Sequence, residues 1–225
     1  MKKNKIACDF TQHCKCETVR EKNGLNPLYS FVYVNEEEKF IYYDTPKCAS
    51  TTIKSSLFCD GVYFTKEYNA INSAGPYSLV DPKQKLDHYF KFCFCRNPYS
   101  LMVSNYRMFT TQKHRLEQMR QFHSSPEKMS FLEFLQFTKI YNNHHWQPQT
   151  QFIKGYDIDF IGRFENLQND FDIVCKKIGI SRKPLIHENR TSHKHYSEYY
   201  DDETREIVAE RYREDIEYFG YKFCE

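Results

Sequence analysis

The residues of this chain with the clearest capacity for chemistry form a turn at residues 45–52. In it, Lys47 precedes a run of hydroxyl side chains from Ser50 to Thr52, and such residues favour the N-terminus of a helix. The first amide N–H groups of a helix lack intrahelical partners and carry the positive end of its dipole. A lysine next to such amides predicts a binding site for an anion, and phosphate binds readily at helix N-termini.

A second basic position follows the apolar run at residues 89–95. Arg96 ends this run, and Ser104 lies further along the helix that Asn97 and Pro98 are predicted to begin. A guanidinium fork and a hydroxyl group can hold one phosphate together. A lone arginine at this position is explained more simply by pairing at a helix start, but two anion-seeking motifs in one chain favour a shared ligand.

Strands and helices alternate around these two motifs. The β-branched and aromatic run at residues 40–43 predicts a buried strand, and Pro46 prevents it from continuing as a ladder member. Residues 31–34 predict a strand that pairs with it across a charged turn. The apolar runs at 89–95 and 160–164 predict further buried strands.

Helical spacing of apolar residues follows the predicted strands at 40–43, 89–95 and 160–164. The clearest case begins at Leu167, where apolar side chains share one side as far as Gly179. A single last helix is predicted from about Asp201 to Phe219. The sequence therefore predicts an α/β fold with a P-loop-like central parallel sheet flanked by helices, whose ligands bind at the carboxyl ends of the strands.

Length and composition indicate one domain. The 225 residues are 40% hydrophobic with a net charge of +2, which suits a single core and gives no overall signature of nucleic-acid binding. We divide the chain into an irregular N-terminal arm at 1–30 and a domain at 31–225. The nine cysteines are interpreted as reduced thiols, and a metal held by Cys8, Cys14 and Cys16 is left open because their spacing is unusual for zinc.

The N-terminus is basic but is not followed by an apolar run. It predicts neither a secretory signal nor a membrane anchor. We therefore expect a soluble, cytoplasmic protein, or one from the Golgi lumen if the chain is a trimmed piece of a longer protein.

The turn at residues 45–52 differs from a nucleotide P-loop. That motif places its lysine immediately before the helical hydroxyl and requires glycines, whereas Lys47 enters earlier and the turn contains no glycine. The turn instead resembles the 5′-phosphosulfate-binding loop of sulfotransferases, and residues 94–107 resemble their 3′-phosphate-binding segment. More blocks resemble the carbohydrate sulfotransferases related to the HNK-1 and chondroitin 4-O enzymes, at 145–149, 158–167 and 199–221, so that the resemblance spans about 39–222.

This resemblance implies a donor, 3′-phosphoadenosine 5′-phosphosulfate, whose sulfonyl group passes to a hydroxyl without a metal. Lys47 would contact the bridging oxygen and the 5′-phosphosulfate, and Arg96 with Ser104 would hold the 3′-phosphate. The residues that would cradle the 5′-phosphate are Ala49, Ser50, Thr51 and Thr52. Further donor contacts would come from Arg190, Thr191 and Ser192. In-line positioning and stabilisation of the leaving phosphate would then supply the catalysis.

The acceptor hydroxyl requires a general base, for which histidine or glutamate is suitable. We favour His145, because its block belongs to the resemblance. His144 and Glu67 are alternatives, and His88 lies between the two phosphate motifs but at the start of a strand.

Two other functions stay open at the level of sequence. A nucleotide-dependent kinase shares the strand–loop–helix geometry, and a non-catalytic binding protein would keep the nucleotide site without turnover. The acceptor is expected to be a saccharide or another small hydroxylated molecule, and the oligomeric state is open.

Overall fold

Four strands form one sheet in the described part of the chain. The computed structural model describes residues 32–35, 38–57, 88–182, 184–185 and 194–224. The strands, in spatial order, are β1 (Val32–Asn35), β2 (Phe40–Tyr43), β3 (Phe90–Cys95) and β4 (Phe160–Arg163). β1 runs antiparallel to β2, whereas β2, β3 and β4 are parallel. The predicted central parallel sheet is therefore confirmed.

The central strand β3 is apolar because both of its faces are covered. In the register of the sheet, Phe92 pairs with Tyr42 on one side and with Phe160 on the other. The rings of Tyr42 and Phe92 stack with their centroids 5.2 Å apart. Phe92, Cys93 and Phe94 are wholly buried. A continuous apolar run of this kind is expected for a strand inside an α/β protein.

Eight α-helices accompany the sheet within the described residues. They are α1 (Ser50–Leu57), α2 (Pro98–Thr111), α3 (Lys113–Met119), α4 (Phe131–Ile140), α5 (Thr150–Ile153), α6 (Leu167–Ile178), α7 (Asp202–Arg211) and α8 (Arg213–Phe219). As predicted, α2 begins with Asn97 as its N-cap and Pro98 in its first turn. Gly179 ends α6 in the left-handed conformation with a φ of 78°, which glycine adopts without strain.

Helices pack on both faces of the sheet. On one face, α1 and α6 cover Tyr42 and Phe94 through buried residues that include Ile53 and Phe171. On the other face, residues of α5 and α8 cover the side chains of β2 and β3 that point the opposite way. All the residues predicted to face inward on α6 are buried, namely Leu167, Phe171, Val174, Cys175 and Ile178.

A separate helical core lies beside the sheet and holds the short 3₁₀ helix His144–Trp146. Trp146 is wholly buried, and its ring meets Phe109 of α2 edge-on at 5.1 Å and Phe134 of α4 at 5.8 Å. Edge-to-face contacts of this kind add to the gain from burying the rings. The aromatic core thus fixes the backbone on which His145 is carried.

Two helical regions differ from the sequence prediction. The last helix is divided at Tyr212, whose φ of −107° and ψ of 25° interrupt it. The buried Tyr212 hydroxyl donates to the carbonyl oxygen of Trp146 at 2.8 Å. The polar stretch after Thr111, for which no helix was predicted, contains α3. Most of its side chains are exposed or partly buried, so no apolar stripe marks it in the sequence. The arm at 1–30 lies outside the described residues.

Candidate anion-binding site at the carboxyl ends of the strands

The two predicted anion-binding motifs meet at one edge of the sheet. Residues 44–49 connect β2 to α1, and Arg96 follows β3 directly. Neighbouring parallel strands bring their carboxyl ends to the same edge. Arg96 Nη1 donates to the carbonyl oxygen of Lys47 at 3.2 Å, so a direct hydrogen bond joins the two motifs.

Two residues of the loop have left-handed backbone conformations, and the N–H of Cys48 between them donates to the carbonyl oxygen of Thr45 at 3.3 Å. Lys47 and Ala49 have positive φ angles of 68° and 63°, whereas Cys48 between them does not. A non-glycine residue in the left-handed region costs about 1–2 kcal/mol. Strain of this kind clusters at ligand-binding and active sites.

The hydroxyl side chains at the start of α1 are only partly available to a ligand. Ser50 Oγ donates to Asp44 Oδ2 at 2.6 Å, which commits its proton inside the protein. Thr51 is exposed, whereas Thr52 is buried. The amides of the first turn have no partners within the helix. They are therefore the groups that this junction offers most directly to an anion.

Lys47 is a cation among other cations. Its Nζ atom lies 3.4 Å from Met108 Sδ, which is a weak acceptor. Among the described residues it forms no ion pair. Burial, together with the positive charges of Arg96 and Arg115, lowers the pKa of Lys47 from 10.5 to about 7. An anion next to Nζ would favour the charged form, so this lysine is suited to gain its charge with the ligand.

Arg96 is buried but keeps part of its hydrogen-bonding capacity. Its Nε and Nη2 atoms donate to Ser100 Oγ at 3.0 and 2.9 Å, and its guanidinium carbon lies 4.0 Å from the centroid of the Phe164 ring. Burial lowers the pKa of Arg96 below its ordinary value, although a guanidinium stays charged in proteins. Its contacts with Ser100 and Lys47 leave N–H groups over for a ligand.

Gln149 connects the loop to the end of β3. Its Oε1 atom accepts from the backbone N–H of Arg96 at 2.8 Å and from Cys48 Sγ at 3.1 Å, while its Nε2 donates to the carbonyl oxygen of Arg96 at 2.8 Å. The carboxylate of Asp215 accepts from the Gln149 backbone N–H at 2.7 Å. Gln149 and Asp215 are both buried. This network fixes the backbone beside which a ligand would lie.

His145 is held between Asn143 and Arg115. Its Nδ1 atom is 2.7 Å from Asn143 Oδ1, and its Nε2 atom is 3.2 Å from Arg115 Nη2. Burial, followed by the positive charges of His144, Arg115, Lys47 and His114, lowers the pKa of His145 well below its ordinary value. The electrostatic coupling to Lys47 places both in one neighbourhood, and the imidazole is neutral at pH 7.

One face of α2 connects the two ends of the site. Ser100, Ser104 and Met108 are four residues apart and therefore lie on the same side of the helix. Ser100 contacts Arg96, and Met108 contacts Lys47. The partly buried Ser104 lies between these two contacts, on the side that faces the site.

The structure brings together most of the predicted site residues. Lys47, Arg96, His145 and the residues 49–52 lie around one region. His88 is exposed at the amino end of β3, the opposite end from Arg96. The predicted candidates Glu67, Arg190, Thr191 and Ser192 lie outside the described residues.

Three residues of this site were missed by the sequence analysis. Ser100 lies four residues after Arg96, a helical spacing that signals a contact. Gln149 belongs to the block at 145–149, in which only the histidine was considered. Arg115 is one of several basic residues in a polar stretch, and nothing in its sequence distinguishes it from Lys113 or Arg120.

Neither a metal centre nor a membrane span is found in the part of the chain that the structure describes. Within it, no group of histidine, cysteine and acidic side chains is arranged to hold a metal ion. No helix among the same residues is both long and apolar enough to cross a bilayer.

Comparison with known proteins identifies related sequences. A family model described as "Sulfotransferase family" matches residues 31–222. Carbohydrate sulfotransferase 14 from Danio rerio is 24% identical over 198 residues, which cover 74% of this chain and 53% of that protein. Carbohydrate sulfotransferase 10 from Xenopus laevis is 21% identical over 239 residues, which cover 85% of this chain and 67% of that protein.

A shorter match reaches higher identity. An uncharacterized protein from Archaeoglobus fulgidus is 31% identical over 116 residues, which cover 51% of this chain and 88% of that protein. No solved structure matches the chain significantly. The chain thus spans between 53% and 67% of the length of the two carbohydrate sulfotransferases.

Proposed function

Because the chain belongs to the sulfotransferase family, we propose that it moves a sulfonyl group from 3′-phosphoadenosine 5′-phosphosulfate to the hydroxyl of a saccharide or glycoconjugate. The observation that carries the proposal is the position of Lys47, a partly buried lysine just before the first turn of α1 and within the electrostatic influence of Arg96 and Arg115. Among the described residues no carboxylate forms an ion pair with Lys47, so a bound anion would balance its charge. The donor is an anion at both of its ends.

The donor would lie along the carboxyl edge of the sheet. Its 5′-phosphosulfate would accept from the amides of residues 49–52, and Lys47 would contact the bridging oxygen, where negative charge grows as the sulfonyl group leaves. The 3′-phosphate would meet the remaining N–H groups of Arg96 and the hydroxyl of Ser104. Preorganised donors of this kind stabilise a developing charge without reorganising during the reaction.

We propose His145 as the general base. Its imidazole is neutral, and it lies in the electrostatic neighbourhood of Lys47. A base must reach the proton that it removes, and His88 at the opposite end of β3 does not meet this requirement. His144, whose ring centroid lies 4.0 Å from that of His145, is the closest alternative among the described residues.

Other roles in the proposal rest on the family resemblance. Arg190, Thr191 and Ser192 would add donor contacts, and the reaction would need no metal. The saccharide acceptor is proposed because the names of the two carbohydrate sulfotransferases state that class, at identities of 24% and 21%.

Transfer of labelled sulfate from the donor to a panel of saccharides and small hydroxylated compounds tests the proposal. We expect transfer to at least one saccharide, a loss of transfer in Lys47→Ala, and weaker donor binding in Arg96→Ala and Ser104→Ala. His145→Ala should bind the donor normally and turn over slowly. Lys113→Gln, which removes an exposed lysine of α3, is the matched control and should behave as wild type.

Two results would overturn the proposal. Unchanged transfer in Lys47→Ala, Arg96→Ala and Ser104→Ala together would remove the site. Phosphate transfer from ATP, without sulfate transfer to any acceptor, would favour a kinase instead. Near-full turnover in His145→Ala would exclude His145 alone and would move the search for the base to His144.

A further inference from the structure

The hydrogen bonds of His145 define which of its ring nitrogens is free of a proton. The backbone N–H of His145 donates to Asn143 Oδ1 at 3.0 Å, which identifies that Asn143 atom as the acceptor oxygen. The same oxygen lies 2.7 Å from His145 Nδ1, so Nδ1 must carry the proton. In a neutral imidazole Nε2 then has the lone pair. Nε2 is therefore the atom that could accept a proton from a substrate.

Contacts with α2 also hold His145 in place. Asn105 is buried in α2, and its Nδ2 donates to the carbonyl oxygen of His145 at 2.7 Å. The Phe109 ring meets the imidazole edge-on at 5.5 Å. The ring orientation and the direction of the Nε2 lone pair are thus set before any ligand binds.

Arg115 occupies that lone pair. Its Nη2 atom lies 3.2 Å from His145 Nε2, and because a guanidinium only donates, Nε2 accepts. The other end of the guanidinium is anchored, since Nη1 donates to Gln118 Oε1 at 2.9 Å and the guanidinium carbon lies 5.1 Å from the centroid of the Phe109 ring. A base whose lone pair already accepts a hydrogen bond cannot take a proton from the hydroxyl of the acceptor substrate.

Arg115 is also close enough to Lys47 to disfavour its positive charge. An anionic group that binds beside Lys47 therefore enters the field of this guanidinium too. Hydrogen bonds from arginine to an anionic oxygen are stronger than those to a neutral acceptor. The anion would thus compete with His145 for the N–H groups of Arg115.

From this geometry we propose that Arg115 is a positioning residue that covers His145 Nε2 until the anionic group of the donor draws it away. The inference rests on the proposed function and adds an order of binding events to it, because the base is exposed only after the donor has bound. In the transfer step, the acceptor oxygen forms a bond to sulfur while the bond from sulfur to the 5′-phosphate oxygen breaks. The departing bisphosphate keeps that electron pair, and the acceptor proton moves to Nε2.

Nuclear magnetic resonance of histidine side chains tests this role without turnover. Labelled wild-type protein, Arg115→Gln, Arg115→Lys and the control Lys113→Gln are titrated with acid, with and without adenosine 3′,5′-bisphosphate. The charged groups that face His145 are Lys47, His114, Arg115 and His144. We expect Arg115→Gln to raise the pKa of His145 by about one unit or more, because it removes a facing charge and a donor to the lone pair.

The variants separate this role from a purely structural one. Arg115→Lys should return the pKa of His145 towards the wild-type value, and Lys113→Gln should leave it within about 0.3 units, since exposed charges are screened. Saturating bisphosphate should move the Nε2 resonance of the wild type towards its position in Arg115→Gln. In steady-state kinetics, Arg115→Gln should change the pH profile of kcat, whereas Lys113→Gln should not.

The failure of this inference can be told from the failure of the proposed function. If bisphosphate binds but the Nε2 resonance and the pKa of His145 are the same in wild type and Arg115→Gln, the role of Arg115 is wrong while the donor assignment stands. If bisphosphate does not bind at all, the donor assignment and the release step are both overturned. Amide spectra of each variant check that it is folded.

Discussion

Lys54 and Lys47 follow the same strand, one in α1 and the other in the loop before it, and their surroundings are opposite in charge. Lys54 Nζ lies 2.8 Å from Asp44 Oδ2 and 3.2 Å from the Tyr33 hydroxyl, and it also lies 4.9 Å from the centroid of the Tyr33 ring. Burial lowers the pKa of Lys54, but Asp44 and Tyr33 outweigh this effect and raise it above its ordinary value.

Lys47 has no such compensation in the described structure. Its ammonium group meets the sulfur of Met108, and the nearest charges, on Arg96 and Arg115, repel it. Burying a charge without a partner is unfavourable, and the group responds by losing its proton. The segment that follows β2 therefore holds one lysine that stabilises the fold and one whose charge is left unbalanced among the described residues.

Burial and residue type therefore do not by themselves determine the role of a lysine. Lys54 completes a network inside the protein with Asp44, whose carboxylate also accepts from Ser50 and Tyr42. Lys47 has no carboxylate partner in the part of the chain that the structure describes, and an external anion would supply the missing charge. Perturbed groups of this kind mark functional sites more often than structural ones.

The largest effect is expected for Lys47→Ala. This change removes the cation closest to the leaving oxygen, and we expect the rate of sulfate transfer to fall by about a thousandfold, or about 4 kcal/mol. The measurement is kcat with saturating donor and acceptor. A thermal melt at pH 7.5 should show a fold at least as stable as wild type. A fall in stability, with transfer unchanged, would reverse the roles assigned to the two lysines.

Lys54→Met should instead destabilise the fold. Removing the ammonium group leaves the Asp44 carboxylate buried without its cation, and such a loss costs about 3 kcal/mol. Chemical denaturation measures this change in the free energy of unfolding. The double variant Lys54→Met/Asp44→Asn should recover part of the loss, because no charge is then left buried. No loss in Lys54→Met would show that the ion pair does not stabilise the fold.

Arg96→Ala should weaken donor binding by roughly tenfold to a hundredfold, since hydrogen bonds to a charged group contribute about 1.5–3 kcal/mol. The dissociation constant for adenosine 3′,5′-bisphosphate is the quantity to measure. Ser100→Ala is an informative companion, because it removes the hydroxyl that orients the guanidinium and should have a smaller effect. Equal binding by wild type and Arg96→Ala would separate Arg96 from the ligand.

The smallest effect is expected in the pH dependence of stability. Between about pH 7 and pH 10.5, Lys47 is neutral in the folded protein and charged in the unfolded chain, so the unfolded chain binds more protons. The contribution of Lys47 to stability therefore rises with pH through this window. After allowance for solvent screening, we expect a gain of about 1 kcal/mol in wild type that is absent in Lys47→Ala.

Denaturant titrations of both proteins at pH 7 and pH 10 give this difference directly. The subtraction removes contributions from other groups, such as the buried tyrosines, that are common to both proteins. A wild-type stability that fell relative to Lys47→Ala over this range would contradict the assigned direction of the pKa shift.

The fold could be predicted because its signals are local. Strand ends and helix starts are determined by a β-branched and aromatic run, by Pro46 and by the capping residue Asn97. Each of these signals comes from residues that are neighbours in the chain. The inward side of α6 follows from helical periodicity alone. The division of the last helix at Tyr212 could not be predicted, because no glycine or proline marks it in the sequence.

The site could be predicted only where its residues belong to motifs. Lys47 and Arg96 each lie between the strand and the helix of a recognisable strand–loop–helix segment. Arg115 lies in a polar helix without an apolar stripe, and its importance arises from tertiary packing that brings it to His145. The different environments of Lys47 and Lys54 were likewise hidden, since sequence does not reveal which lysine Asp44 contacts.

If the unbalanced charge of Lys47 serves the phosphosulfate donor, binding of a donor analogue should restore the proton of this lysine. Calorimetric titration of adenosine 3′,5′-bisphosphate at pH 8, repeated in buffers with different ionisation enthalpies, tests it most directly. We predict binding accompanied by uptake of close to one proton, since Lys47 with a pKa of about 7 regains its charge beside the 5′-phosphate, and no uptake in Lys47→Ala. Binding of ATP without binding of the bisphosphate, or binding without proton uptake, would contradict the account.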